Sequence, residues 1–242
     1  MELRYDRNIR IKEIGEEGQN KLMYSSVLVI GAGGLGSPCL YYLASAGLER
    51  IGIADGDKVE ATNLNRQIIH FSNDMGKNKT ESAREKVLAL NPDVNIICHA
   101  KMITEENAEA LISCYDFIID AVDNFAVKYL INDTCVKLKK PFCHGGALAW
   151  GGQVMTYVPG GPCLRCFMPD VPKDNEITTS KEEGILGAAA GNIGTLQAME
   201  AIKYLTGSGN LLAGRMLFFD GLKTEYRMLK VSKKSGCLAC GG

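Results

Sequence analysis

The sequence predicts an α/β fold, a doubly wound and mostly parallel sheet that finishes with antiparallel strands. Three observations carry that reading. Short apolar runs rich in Val and Ile alternate with stretches of helical periodicity. The first run breaks into a glycine-rich turn and resumes as an apolar helix, which is how a βαβ unit opens. Towards the C-terminus the runs follow one another across glycines, as in hairpins.

In order, the runs are SSVLVIG (25–31), RIGIAD (50–55), VNIICHA (94–100) and YDFIIDAVD (115–123). Helical periodicity fills NKTESAREKVLAL (78–90) and TEENAEALISCY (104–115). Further on, 140–161 reads as strand, 188–207 as a helix closed by a glycine, and 214–231 as a hairpin. The polar stretch 169–184, with two prolines and little periodicity, is expected to be a long mobile crossover. No repeat or low-complexity tract divides the chain, so residues 1–242 are expected to form one domain.

At 242 residues the chain can bury a large core without disulfides. A formal net charge of −1, with no long basic run, gives no support to nucleic-acid or anionic-membrane binding. The charged N-terminus lacks a secretory apolar region, and no apolar run approaches the ~20 residues of a membrane span. A cytoplasmic protein is expected. Nine cysteines without an export signal then point to free thiols, metal ligands or catalysis before structural disulfides.

The turn GAGGLG spaces Gly31, Gly33 and Gly36 as G-x-G-x-x-G, so backbone N–H groups and a helix N-terminus can meet a polyphosphate. Asp55 ends the next strand nineteen positions after Gly36, where such folds place a ribose-binding carboxylate. Glycines that only permit tight helix packing are the structural alternative. A dinucleotide and ATP both fit to this point. The polar segment after Asp55 supplies Asn63, Asn65, Arg66 and Lys79, and DAVDN adds Asp123. A dinucleotide pyrophosphate carries ~2 negative charges and ATP ~4, which recruit Arg, Lys and Mg²⁺. These residues therefore favour ATP over NAD, with solvated surface charge as the bland alternative for any one of them.

GAGGLGSP, ADGDKVEATNLNRQ, GKNKTESA and DAVDN, in this order and spacing, resemble the ThiF/MoeB/HesA family, relatives of ubiquitin-activating enzymes. The resemblance runs from RYDRNIRI to the terminal CLAC. It implies a Rossmann-like adenylation fold, usually a homodimer, acting on a small ubiquitin-like sulfur carrier that ends in Gly-Gly. It also implies that Gly31, Gly33, Gly34, Gly36, Asp55, Asp57, Asn63, Asn65, Arg66, Lys79, Asp123 and Asn124 line the nucleotide, with Asp123 on Mg²⁺. Arg7 matches an arginine that the family contributes across the dimer; taken alone it is a charge on an amphipathic helix. The rival classes are an NAD-dependent oxidoreductase and a scaffold that binds a ubiquitin-like protein without activating it.

Cys163 and Cys166 form one C-x-x-C pair, Cys237 and Cys240 a second, a pattern suited to a closed structural Cys₄ zinc site. A thioredoxin-like redox pair is the alternative. The other cysteines, Cys39, Cys98, Cys114, Cys135 and Cys143, sit in apolar contexts where thiols pack inertly. Cys143 is the exception to weigh, because His144 beside it could lower its pKa. In many family members a cysteine that receives the activated carrier lies four residues before the glycine of a G-[VI]-[LV]-G segment. Here Ser180 holds that position, and an alcohol is essentially never ionised at neutral pH, so transfer chemistry is placed in doubt and adenylation is not. The chain's own CGG ending follows directly on a proposed zinc ligand, too close to reach a nucleotide site.

Overall fold

The computed structural model describes residues 3–172 and 182–241. In chain order the elements are α1 (Asp6–Ile9), α2 (Gly15–Met23), β1 (Ser26–Ile30), α3 (Gly36–Ser45), β2 (Arg50–Ala54), α4 (Lys79–Leu90), β3 (Asn95–His99), α5 (Glu105–Ser113), β4 (Phe117–Asp120) and α6 (Phe125–Lys137). They continue with β5 (Phe142–Leu148), β6 (Gly151–Tyr157), α7 (Leu164–Phe167), α8 (Gly187–Thr206), β7 (Arg215–Asp220) and β8 (Glu225–Lys230). The eight strands of the described residues form one sheet, in the order β3-β2-β1-β4-β5-β6-β7-β8. The pairs from β3 to β5 are parallel and those from β5 to β8 antiparallel, as the sequence pattern predicts.

Strand β1 shows why its run is continuously apolar. Val27 and Val29 enter a core with Leu40 and Leu43 of α3, Val87 of α4 and Ile193 of α8. Leu28 and Ile30 point to the opposite face and meet Ile112 of α5 and Ile131 of α6. Side chains alternate across a strand, so helices on both faces demand apolar residues at every position.

Helix α6 is the longest element that the sequence pattern leaves unassigned. Its start is set by Asn124, whose side chain accepts the Val127 N–H at 3.1 Å. Its buried face carries Lys128, Asn132 and Thr134 as well as Tyr129 and Ile131, which blurs the apolar period. Helix α8 ends at Gly207, whose left-handed backbone (φ 76°) suits glycine. No helix among the described residues is long and apolar enough to cross a membrane. The centre of the expected crossover, residues 173–181 with Ser180, lies outside the described residues.

Candidate active site

The strand order reverses between β1 and β4, and ligands of open α/β sheets bind outside the carboxyl ends of strands at such a point. The loop after β1 enters this crevice. At Gly31 (φ 98°) a Cβ would lie 2.6 Å from the Ala121 carbonyl oxygen, and at Gly36 it would lie 2.0 Å from the Gly31 oxygen. Close packing alone therefore requires these two glycines. It does not require Gly33, where the nearest atom to a Cβ, Gln67 Nε2, is at an ordinary 3.5 Å. No hydrogen bond between described residues uses the N–H of Gly33 or Gly34. At Gly34 a Cβ would come within 3.1 Å of the Ala190 Cβ, so that glycine is also tightly packed. Two adjacent N–H groups without a partner among the described residues suit a phosphate oxygen.

Asp55 borders the loop. Its carboxylate accepts the N–H of Ala32 and of Asp57, each at 2.8 Å. Burial raises its pKa, and the nearby Lys79 ammonium opposes that rise. Lys79 opens α4 and is buried, with Nζ 2.9 Å from the exposed carboxylate of Asp57. Arg66 donates from Nη1 to the Thr62 carbonyl (2.9 Å) and to Asn65 Oδ1 (2.8 Å). Its stem lies 3.5 Å from where a Cβ on Gly34 or on Gly187 would sit, and Asn65 donates to the Ile185 carbonyl at 3.3 Å. Both cations are thus engaged by partners that a polyphosphate could displace.

The other expected residues divide. Asn63 spends its Oδ1 on the Glu60 N–H (3.2 Å), within a local turn. Asp123 and Asn124 are exposed just beyond β4, and no hydrogen bond or ion pair joins the Asp123 side chain to another described residue. Arg7 stands apart on α1, its side chain 85% exposed and paired, among the described residues, with Asp6 at 3.2 Å.

The four C-x-x-C cysteines do come together. Their sulfurs all lie within 4.8 Å of one another, and the close pairs cross between motifs, Cys163 with Cys237 at 3.7 Å and Cys166 with Cys240 at 3.4 Å. Four thiolates around zinc at ~2.3 Å have tetrahedral edges of ~3.8 Å, so the donor set fits that ion and leaves no open coordination position. Burial works to raise the Cys237 thiol, and the N–H groups of Cys240 and Ala239 outweigh it, bringing it to about 7. The motif carrying Cys163 and Cys166 is fastened to α6: Asn132 accepts the Leu164 N–H at 2.9 Å, and Asp133 takes two bonds from Arg165, both 2.7 Å. Cys143, by contrast, is fully buried, and burial pushes its thiol far up, which suits inert packing.

Residues 5–239 match the model of the ThiF family. The chain belongs to the ThiF family. It is 48% identical over 239 residues to the adenylyltransferase and sulfurtransferase MOCS3 of Aedes aegypti, covering 98% of this chain and 55% of that protein. The corresponding protein of Culex quinquefasciatus is 46% identical with the same coverage. This ThiF-family chain thus spans about half the length of the curated relatives it matches. Its fold is similar to that of Escherichia coli MccB crystallised with ATP, at a TM-score of 0.87 and 24% identity, covering 99% of this chain and 75% of that one. The crystal structure of PaaA is also similar, at a TM-score of 0.79 and 22% identity over 96% of this chain and 73% of that one.

Several polar residues of this ThiF-family chain escape the sequence reading. Asp120, at the end of β4, is fully buried between Lys128 Nζ (3.2 Å) and His144 Nδ1 (2.7 Å), while Lys128 also donates to the Gly145 carbonyl at 2.6 Å. Burial opposes the Asp120 charge, but Lys128 and the His144 N–H outweigh it and hold the carboxyl below its ordinary value. Burial, helped by Lys128, lowers His144. Gln197 of α8 ties the Asp120 and Cys143 carbonyls at 2.7 and 3.1 Å. One cue was present in the sequence, since Asp120 stands three residues before Asp123 at the end of an apolar run. His70, under the glycine loop, had none.

Proposed function

We propose that this chain is an adenylyltransferase that uses ATP to activate the C-terminal glycine of a small ubiquitin-like sulfur-carrier protein. The observation that supports it most is the pair of N–H groups at Gly33 and Gly34 without a partner among the described residues, in the same region as Arg66 and Lys79, in a chain 48% identical to a protein named an adenylyltransferase. An NAD-dependent oxidoreductase would leave both cations without a task. A carboxylate oxygen of the carrier attacks the α-phosphorus in line, the bond to the bridging oxygen breaks, and pyrophosphate leaves with that electron pair. Gly33 and Gly34 donate N–H groups to phosphate oxygens, and Arg66 and Lys79 stabilise the charge that builds up. Asp55 holds the ribose, with Asp57, Asn63, Asn65 and Asn124 completing the wall. The exposed Asp123 carboxylate suits Mg²⁺, which would neutralise phosphate charge when bound.

Arg7, whose ion pair among the described residues is with the adjacent Asp6, reaches the partner's site in a homodimer. The cysteine quartet holds structural zinc. The enzyme works in the cytoplasm, and its carrier delivers sulfur to a cofactor such as molybdopterin or thiamine. With Ser180 at the family's cysteine position, the reaction of this chain stops at the adenylate. The deciding experiment is pyrophosphate exchange into ATP with and without a Gly-Gly carrier, alongside thermal stabilisation by ATP and by NAD. Carrier-dependent exchange with stabilisation by ATP alone is expected. Carrier binding without exchange would reduce the protein to a scaffold.

A further inference from the structure

Ala32 lies between Gly31 and Gly33, so the peptide planes on either side of it have little side-chain restraint. Both are nevertheless held. Asp55 takes the Ala32 N–H at 2.8 Å, and His70 Nε2 lies 2.8 Å from the Ala32 carbonyl oxygen. The second contact sets the direction of a donor on the next residue. The Ala32 carbonyl and the Gly33 N–H belong to one trans peptide unit and point to opposite sides of it.

We infer that His70 is a positioning residue for the nucleotide: by holding the Ala32 carbonyl from below, it keeps the Gly33 N–H directed at the phosphate. The inference rests on the nucleotide reading of the glycine loop. A carbonyl oxygen only accepts, so Nε2 must carry the proton. Nδ1 then accepts from the Ser82 hydroxyl, 2.9 Å away on α4. His70 is 4% exposed, and burial lowers its pKa, in keeping with a neutral ring. Because Ser82 and Lys79 share α4, the clamp also ties the loop to the helix that carries the lysine. His70 touches no reacting atom; it acts through the loop.

Glutamine and asparagine separate the two ring nitrogens. His70→Gln can place an amide N–H near the Nε2 position and still hold Ala32. His70→Asn reaches only the Nδ1 position, towards Ser82. Both lose packing, so thermal unfolding of the free proteins should fall by similar amounts. The ATP dissociation constant, by calorimetry, should rise about tenfold or more in His70→Asn and stay within about threefold in His70→Gln. Equal weakening in both variants would overturn the clamp. If the unmodified protein binds no ATP, the nucleotide reading has failed, and the clamp is then judged on the free protein alone. There, ¹⁵N NMR should find His70 protonated at Nε2 and bare at Nδ1, and the reverse tautomer would overturn it.

Discussion

The parallel half of the sheet and its antiparallel extension hold their polar chemistry in opposite ways. Beyond β1, β2 and β4, the candidate nucleotide site is a set of loops; among the described residues the N–H groups of Gly33 and Gly34 and the carboxylate of Asp123 have no partner. Its cations rest on replaceable partners, Lys79 on exposed Asp57 and Arg66 on Asn65. The cysteine quartet beside the antiparallel strands turns its four sulfurs inward on one another. One region is arranged for exchange with solvent and ligand, the other for closure. The difference teaches that glycine and charge at strand ends signify traffic, whereas soft ligands brought from distant positions signify fastening.

The comparison breaks most sharply at the cysteines. Cys237→Ser should bring bound zinc from about one per chain to well below that, because structural zinc contributes ~10 kcal/mol or more of apparent binding free energy that is also folding energy. Metal analysis of a chelator-free preparation, with proteolysis of the C-terminal region, checks it. Zinc-free protein before any substitution would remove the contrast altogether. Next in size, Lys79→Ala and Asp123→Ala should each lose ~10²-fold or more of carrier-dependent pyrophosphate exchange while keeping their zinc. Retained exchange in both would show that the open loops are not the reacting site.

A smaller effect sharpens the contrast within the glycine loop. Gly36→Ala forces a Cβ to within 2.0 Å of the Gly31 oxygen and should cost ~1–3 kcal/mol of stability or more. Gly33→Ala meets nothing closer than 3.5 Å; its melting temperature should stay near that of the parent while ATP binding weakens. Parallel losses in the two would mean that Gly33 also serves packing.

The smallest effect is a pH dependence from the buried Asp120–His144 pair. His144 is lowered in the fold, so below ~6.5 the unfolded chain binds a proton that the native one does not. Asp120 is lowered too, which repeats the effect below ~4. Stability from both groups is present at neutral pH and lost on acidification. Denaturant titrations should show an acid limb that is shallower in Asp120→Asn after allowance for its lower starting stability.

What could be read from the sequence follows from how local each feature is. The strands declare themselves because both faces of residues such as Val27–Ile30 are buried, and the loop with Asp55 follows from spacing along two adjacent units. The cysteine pairs were legible as motifs, but not which sulfur meets which. Helix α6 was hidden because Lys128 and Asn132 occupy buried positions where a periodicity argument expects aliphatic side chains. Lys128, Asp120 and His144 each read as isolated polar residues in apolar runs. Their meaning lies in contacts across α6, β4 and β5 that spacing along one element does not encode. His70 is the extreme case, since its partners Ala32 and Ser82 lie on opposite sides of it in the chain.

The span between the two cysteine motifs has a consequence in polymer terms. Cys163 and Cys237 are 74 positions apart, and the chain between them includes α8, β7 and β8, the last of which is exposed along its whole length at the edge of the sheet. A bond through metal would turn that stretch into a ring. By the loop-closure relation for cross-links, pinning such a ring removes unfolded-chain entropy worth ~4 kcal/mol, without adding one contact to the edge strand itself. The outermost hairpin could then borrow its resistance to fraying from a knot of sulfur at the far end of the tether, and loss of the metal would be felt first as a longer leash on the sheet's open margin.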